Sequence, residues 1–154
     1  MSGNILGNIA IGLVAGAIGT AAMTAAQTAQ MKATGRSGST TPAKAAENLF
    51  GLDPWTDAEE ETLSNKMHWA YGTALGGVCG ILASLFDDQE PLTGLSFLAM
   101  SWTSGLFLPA ALKASSPPTE WAPAEIASDA AFHAVYAGAT VAAFHGIQAM
   151  ISKR

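Results

Sequence analysis

The chain has 154 residues, of which 12% are charged, about half the ~25% of an ordinary soluble domain, while 49% are hydrophobic. That length leaves room for one domain. A formal charge of −5, with only seven Lys and Arg scattered between loops, excludes the clustered basic surface that nucleic acid requires.

Every charged residue falls outside four segments, Met1–Met31, Met67–Phe86, Pro91–Leu112 and Ala130–Ile151. A helix needs ~20 mostly apolar residues, at a rise of ~1.5 Å each, to cross a hydrocarbon core of ~30 Å, and each segment is long enough. A soluble Ala-rich bundle would place charge on its outer face every third or fourth position, and these segments carry none. The expectation is an all-α fold, an integral membrane four-helix bundle. It forms a single transmembrane domain over 1–154, with spans at about 5–31, 67–86, 92–112 and 130–151 and an extramembrane loop at 32–66.

The first segment has no Lys or Arg ahead of its apolar run, and that run exceeds the ~7–15 residues of a signal-peptide core, so it reads as an uncleaved helix. In the loop that follows, Thr34–Pro42 is Gly/Ser/Thr-rich, and Ala43–Phe50 predicts a short surface helix ended by Gly51. Asp53-Pro54 marks a turn, and Thr56 with Glu59 fits a capping box that starts the next long helix near Asp57. The short connection Asp87–Glu90 makes its flanking helices antiparallel neighbours. Pro109 ends or kinks the third long helix. Ser115–Pro123 holds Pro117 and Pro118 and is expected to be extended, with Pro123 in the first turn of the last helix. Cys79 is the only cysteine, so neither an intrachain disulfide nor a cysteine-rich metal site can form.

Lipid is as apolar as leucine, so helices in a bilayer associate by close packing along stripes of small residues at four-residue spacing. Such stripes are Gly12, Gly16, Thr20, Thr24 and Thr28; His68, Gly72, Gly76, Gly80 and Ser84; Ser101, Gly105 and Pro109; and Ala134, Gly138, Ala142 and Gly146. They predict tight helix contacts within the bundle. Gly19 and Gly77 lie off these stripes and are available for contacts between subunits, while Leu82 reads as peripheral. An internal repeat aligns His68 and Tyr71 with His133 and Tyr136, Glu60 with Glu125, and Ser64 with Asp129, as in two helical hairpins of the same orientation.

Trp69, Trp121 and Trp55 suit an interfacial aromatic belt, whereas Trp102 falls near the middle of its span and reads as a packing residue. Lys32, Arg36, Lys44, Lys66 and Lys113 belong to the first and third loops, which places those loops in the cytoplasm and both termini outside.

Glu125, Asp129, His133, Tyr136 and Thr140 follow steps of three or four and share one face of the last helix. Glu60, Ser64, His68 and Tyr71 trace a comparable line on an earlier one. Ionisable groups at membrane depth are expensive unless paired or wetted, and a carboxylate one turn before a histidine makes a proton-responsive pair. The plainer reading makes Glu125 and Asp129 solvated helix-start residues, favourable at the positive dipole end, with His133 reaching the surface. His68 and His133 also stand at similar depths, where they could ligate haem iron or chlorophyll magnesium. His145 reads as a hydrogen-bonded bundle residue. No nucleophile, phosphate loop or metal motif emerges, so no catalytic residue is assigned and the cofactor, if any, is unspecified.

Gly94, Phe107-Leu108-Pro109, Pro117-Pro118, Trp121, Glu125 and His133, with His68 opening the preceding helix, resemble the YagU-like family of small bacterial inner-membrane proteins over about Met67–Ala143. The resemblance implies an α-helical inner-membrane protein associated with acid tolerance, and it gives weight to His68, Pro109, Glu125 and His133. The chain departs from that family in lacking an Arg-rich amino terminus. Together these features point to a non-enzymatic multi-pass protein of the bacterial inner membrane, either a pH-responsive component or an accessory subunit. Its expected partners are the lipid bilayer and other membrane subunits or further copies of itself. A haem- or chlorophyll-binding subunit and a small proton or solute conduit are the alternatives.

Overall fold

The long apolar runs become helices, and capping residues rather than the runs themselves set where those helices end. A computed structural model, describing residues 4–53, 56–87 and 89–153, places α1 at Ile5–Thr34, α2 at Thr41–Phe50, α3 at Asp57–Leu85, α4 at Glu90–Ala111 and α5 at Pro123–Ile151. The described residues contain no strand. Asn4 caps α1 by accepting the Leu6 amide at 3.1 Å. Gly35 and Gly51 close α1 and α2 in the left-handed conformation, which only glycine enters freely, and donate to Met31 O and Glu47 O. The Thr56 hydroxyl accepts the Glu59 amide at 3.2 Å and starts α3 at Asp57, where the capping signal predicts it.

The expected extended segment Ser115–Pro123 is interrupted by a single 3-10 turn at Pro118–Glu120, closed by the Trp121 amide on Pro118 O. The Trp121 indole donates to Ser116 O at 3.0 Å, which ties the ends of this loop together. Pro109 lies in the last turn of α4, two residues before its end, and so terminates the helix rather than kinking its middle. Trp55 lies outside the described residues.

The bundle is organised around α1, which lies against α3 and α5, while α4 sits on the outer side of α3 and α5. Gly12 and Gly16 of α1 meet Gly72, Gly76 and Gly80 of α3 backbone to backbone: a methyl built on Gly76 would overlap Gly12 O and Gly16 Cα. Gly19 meets Thr140 and Tyr136 of α5, and Gly77 meets Leu13 of α1. The outer stripe of α5 behaves in the opposite way. Ala134, Gly138, Ala142 and Gly146 are exposed, and a methyl on Gly138 or Gly146 would meet nothing within 4 Å. The expected roles are thus exchanged: Gly138 lies outside the internal contacts, while Gly19 and Gly77 lie within them. Leu82 is likewise not peripheral but 8% exposed, in a core with Phe97, Tyr136, Val141 and Phe144.

Polar contacts fix both ends. Asn8 of α1 donates to Ser84 of α3 at 2.9 Å and accepts from Gln148 of α5 at 3.2 Å. At the opposite end Gln30 of α1 donates to Ser128 of α5 at 2.7 Å. Among the described residues three helices, α1, α4 and α5, are long and apolar enough to cross a membrane. The fourth expected span, in α3, has the length but a weaker apolar composition, because His68, Tyr71 and its glycines occupy positions that lipid-facing helices give to leucine.

Candidate functional site

Proline at its first turn launches α5, and Glu125, Asp129 and His133 then step down one face at one-turn spacing. Glu125 does not join the other two. Its exposed carboxylate turns back to accept the Ala122 amide at 2.9 Å, satisfying a donor that the helix start leaves without an intrahelical partner.

Asp129 and His133 form a built cluster with α4. His133 Nδ1 lies 2.9 Å from Asp129 O and 3.3 Å from Asp129 Oδ2. Both neighbours only accept, so Nδ1 carries a proton and, in the neutral ring, Nε2 bears the lone pair. The Trp102 indole donates to the same Oδ2 at 3.1 Å. The side chains of His133 and Asp129 are 11% and 26% exposed. The antiparallel register sets their depth. Gly105 faces His133, so Leu112, seven residues on at the C-cap of α4, is level with about Ile126 of α5. At ~1.5 Å per residue Asp129 therefore lies ~4–5 Å inside the end of α4 and His133 ~10 Å inside. Asp129 is deeper than its place at the edge of a charge-free run implies, and its two donors offset the cost of that depth.

Across the seam His133 Nε2 has no hydrogen-bond partner among the described residues and faces Gly105: a methyl there would overlap Nε2 and approach Cε1 to 2.7 Å. Gly105→Ala is expected to push α4 from α5 and to lower stability by about 1–3 kcal/mol. Gly94→Ala, whose methyl would touch Val141 at an ordinary 3.8 Å, should change stability by less than about 0.5 kcal/mol. Unfolding titrations in mild detergent compare the two.

The earlier helix presents a different set of contacts. His68 Nε2 lies 3.2 Å from Thr24 Oγ1, and the Thr24 hydroxyl proton is given to Thr20 O at 2.8 Å, so His68 Nε2 is the donor. Tyr71, 36% exposed, donates to Ser104 at 2.7 Å, and Ser104 donates to Ser101 O. Tyr136 is buried and donates to Gly72 O at 2.7 Å. The residues matched by the internal repeat therefore differ in burial and in partner: His68 is tied to α1, His133 to its own helix. Ser64 does not extend the line either, since it donates to Ser39 O at 2.7 Å in the preceding loop.

Trp102, Gly105, Thr24 and Ser104 complete the site and were not singled out by charge or spacing as parts of it. One signal was present, since an indole N–H in mid-span requires an acceptor and Asp129 is the deepest carboxylate on the neighbouring helix. Of the two histidines, Nε2 of His68 is engaged by Thr24, and Nε2 of His133 faces Gly105 across the seam. Among the described residues no three His, Cys, Asp or Glu side chains are grouped to hold a metal ion. His145, expected to be hydrogen-bonded, stands edge-on to Phe144 with its Nε2 buried and unpartnered among the described residues. No family model, curated protein or solved structure matches the chain.

Proposed function

We propose that this chain is a non-enzymatic, multi-pass protein of the bacterial inner membrane in which His133 responds to protons at the seam between α4 and α5. The observation that carries this reading is the commitment of His133 Nδ1 to Asp129. Proton uptake must then occur at Nε2, which faces Gly105 across the seam. Protonation places a charge and a new donor where α4 offers no side chain to receive them, and the ring must turn or α4 must shift. Asp129 of α5 bonds the ring, and α4 contributes neutral Trp102 and Gly105. The YagU-like resemblance, with its implied acid tolerance, supports the same setting.

In this reading α1, α3, α4 and α5 all cross the bilayer. The weaker apolar composition of α3 suits a helix shielded by α1, α4 and α5, and the lysine-bearing loops lie in the cytoplasm. Spin labels on the exposed positions Met100 of α4 and Val135 of α5 test the response. The α4–α5 distance distribution should change between pH 8 and pH 5 in the wild-type background and stay fixed in His133→Gln. An identical distribution at both pH values would refute the reading.

A second reading, an accessory subunit or homo-oligomer, is favoured by one observation. The outward Ala134, Gly138, Ala142 and Gly146 face of α5 leaves space for the close approach of another helix.

A further inference from the structure

We infer that α2 is an in-plane membrane-surface helix whose Leu49, Phe50 and the following Leu52 insert into the lipid interface beside the end of α4. The inference rests on the membrane reading above and adds an interaction surface to it.

Two hydrogen bonds set the tilt of α2. Just before its start, Ser39 O accepts from Ser64 of α3, and near its end Asn48 Nδ2 donates to Leu112 O at 2.8 Å. Ser64 and Leu112 lie at the same depth. The Tyr71–Ser104 bond pairs α3 with α4, and from it Ser64 is seven residues and Leu112 eight residues toward the same end, ~10–12 Å at a helical rise. Leu112 is also the last uncharged residue before Lys113, and Ser64 stands three residues before the charge-free run that begins at Met67. Both ends of α2 are therefore held at the level where the apolar helices end, and a helix held so lies along the membrane surface.

The sides of α2 match that placement. At ~100° per residue Thr41, Lys44, Glu47 and Asn48 occupy about one third of the circumference, and the apolar residues fill the rest. Ala43 and Ala46 are buried against the bundle, so the small residues serve the protein contact. The large ones do not: Leu49, Phe50 and Leu52 are 58%, 61% and 45% exposed. Phe107 and Leu108 of α4, also exposed, lie about one turn before Leu112, the residue that Asn48 holds, while Lys44 is exposed on the polar side. Large apolar groups on one side and a cation on the other, at the depth of the headgroups, are what a lipid interface receives.

Single nitroxide labels at Leu49, Lys44 and Met100, in the full chain reconstituted into phosphatidylcholine/phosphatidylglycerol vesicles, test this by collision with oxygen and with a water-soluble nickel chelate. Cys79 is fully buried and replaced by alanine to leave one label site. The oxygen-to-nickel collision ratio at 49 should be several-fold above that at 44 and below that at Met100 in mid-span. Equal ratios at 49 and 44, with Met100 still dominated by oxygen, overturn the surface helix and leave the membrane reading standing. A Met100 label open to nickel overturns both. Leu52 carries a second label that must report the same shallow depth as 49, so a local disturbance at one position cannot decide the outcome.

Discussion

Replacing Gly76 by leucine should destabilise the bundle by about 3 kcal/mol or more, among the largest effects of any single change in this chain. The reason is geometric. Gly76 lies where α3 crosses α1, and even a methyl there overlaps Gly12 O and Gly16 Cα, which are backbone atoms that cannot rotate away. The helices must separate, and with them the contacts that hold Gly72 against Thr20 and Gly80 against Asn8. Gly138→Leu, on the open outer face of α5, should cost less than about 1 kcal/mol in the isolated monomer, because its side chain meets nothing. Leu85→Ala is the appropriate large-to-small control, since Leu85 is 68% exposed whereas Leu82 belongs to the core. Detergent unfolding of the three variants should rank Gly76→Leu far below the other two; equal midpoints would remove the α1–α3 crossing as the centre of the fold.

Asp129→Leu should be the most damaging change within the site. It leaves the Trp102 indole N–H and the His133 Nδ1–H facing an apolar group, and each buried donor without an acceptor costs about 1–3 kcal/mol. The His133 ring retains Asp129 O at 2.9 Å, so the larger share of the loss should fall on Trp102 and on the docking of α4. Asp129→Asn keeps an acceptor and should recover most of the stability while losing the carboxylate that pairs with a protonated ring. Unfolding titrations at pH 8 measure the first effect, and the difference between pH 8 and pH 5 measures the second. If Asp129→Leu were as stable as the wild type, the Trp102–Asp129 bond would not be holding α4.

Periodicity and the distribution of charge made the helices legible. Their limits followed from local chemistry, as at Thr56 with Glu59, Gly51 and Pro123, where a cap or a fixed φ acts within one turn. The stripes of small residues were legible as stripes, but their facing was not. A GxxxG spacing on α5 is identical in sequence whether it meets another helix of the chain or open surface, and only the placement of α1 between α3 and α5 assigns Gly19 inward and Gly138 outward. In the site, Asp129 and His133 were visible because one helical turn separates them. Glu125 obeys the same spacing, yet it is drawn away by the orphan amide of Ala122, a local competitor that spacing does not weigh. Trp102 and Gly105 come from another helix, so their part depends on the α4–α5 register, which no local pattern in either segment encodes.

The central claim, that His133 takes up a proton at the α4–α5 seam, is tested most directly by the emission of Trp102, whose indole N–H is bonded to the carboxylate that also holds His133. Its signal is obtained as the difference between wild-type protein and Trp102→Phe in vesicles, followed from pH 8 to pH 5. The account predicts a single transition within the range where histidines titrate, and its loss in His133→Gln. A Trp102 emission that stays constant across that range, or that shifts equally in His133→Gln, would contradict it.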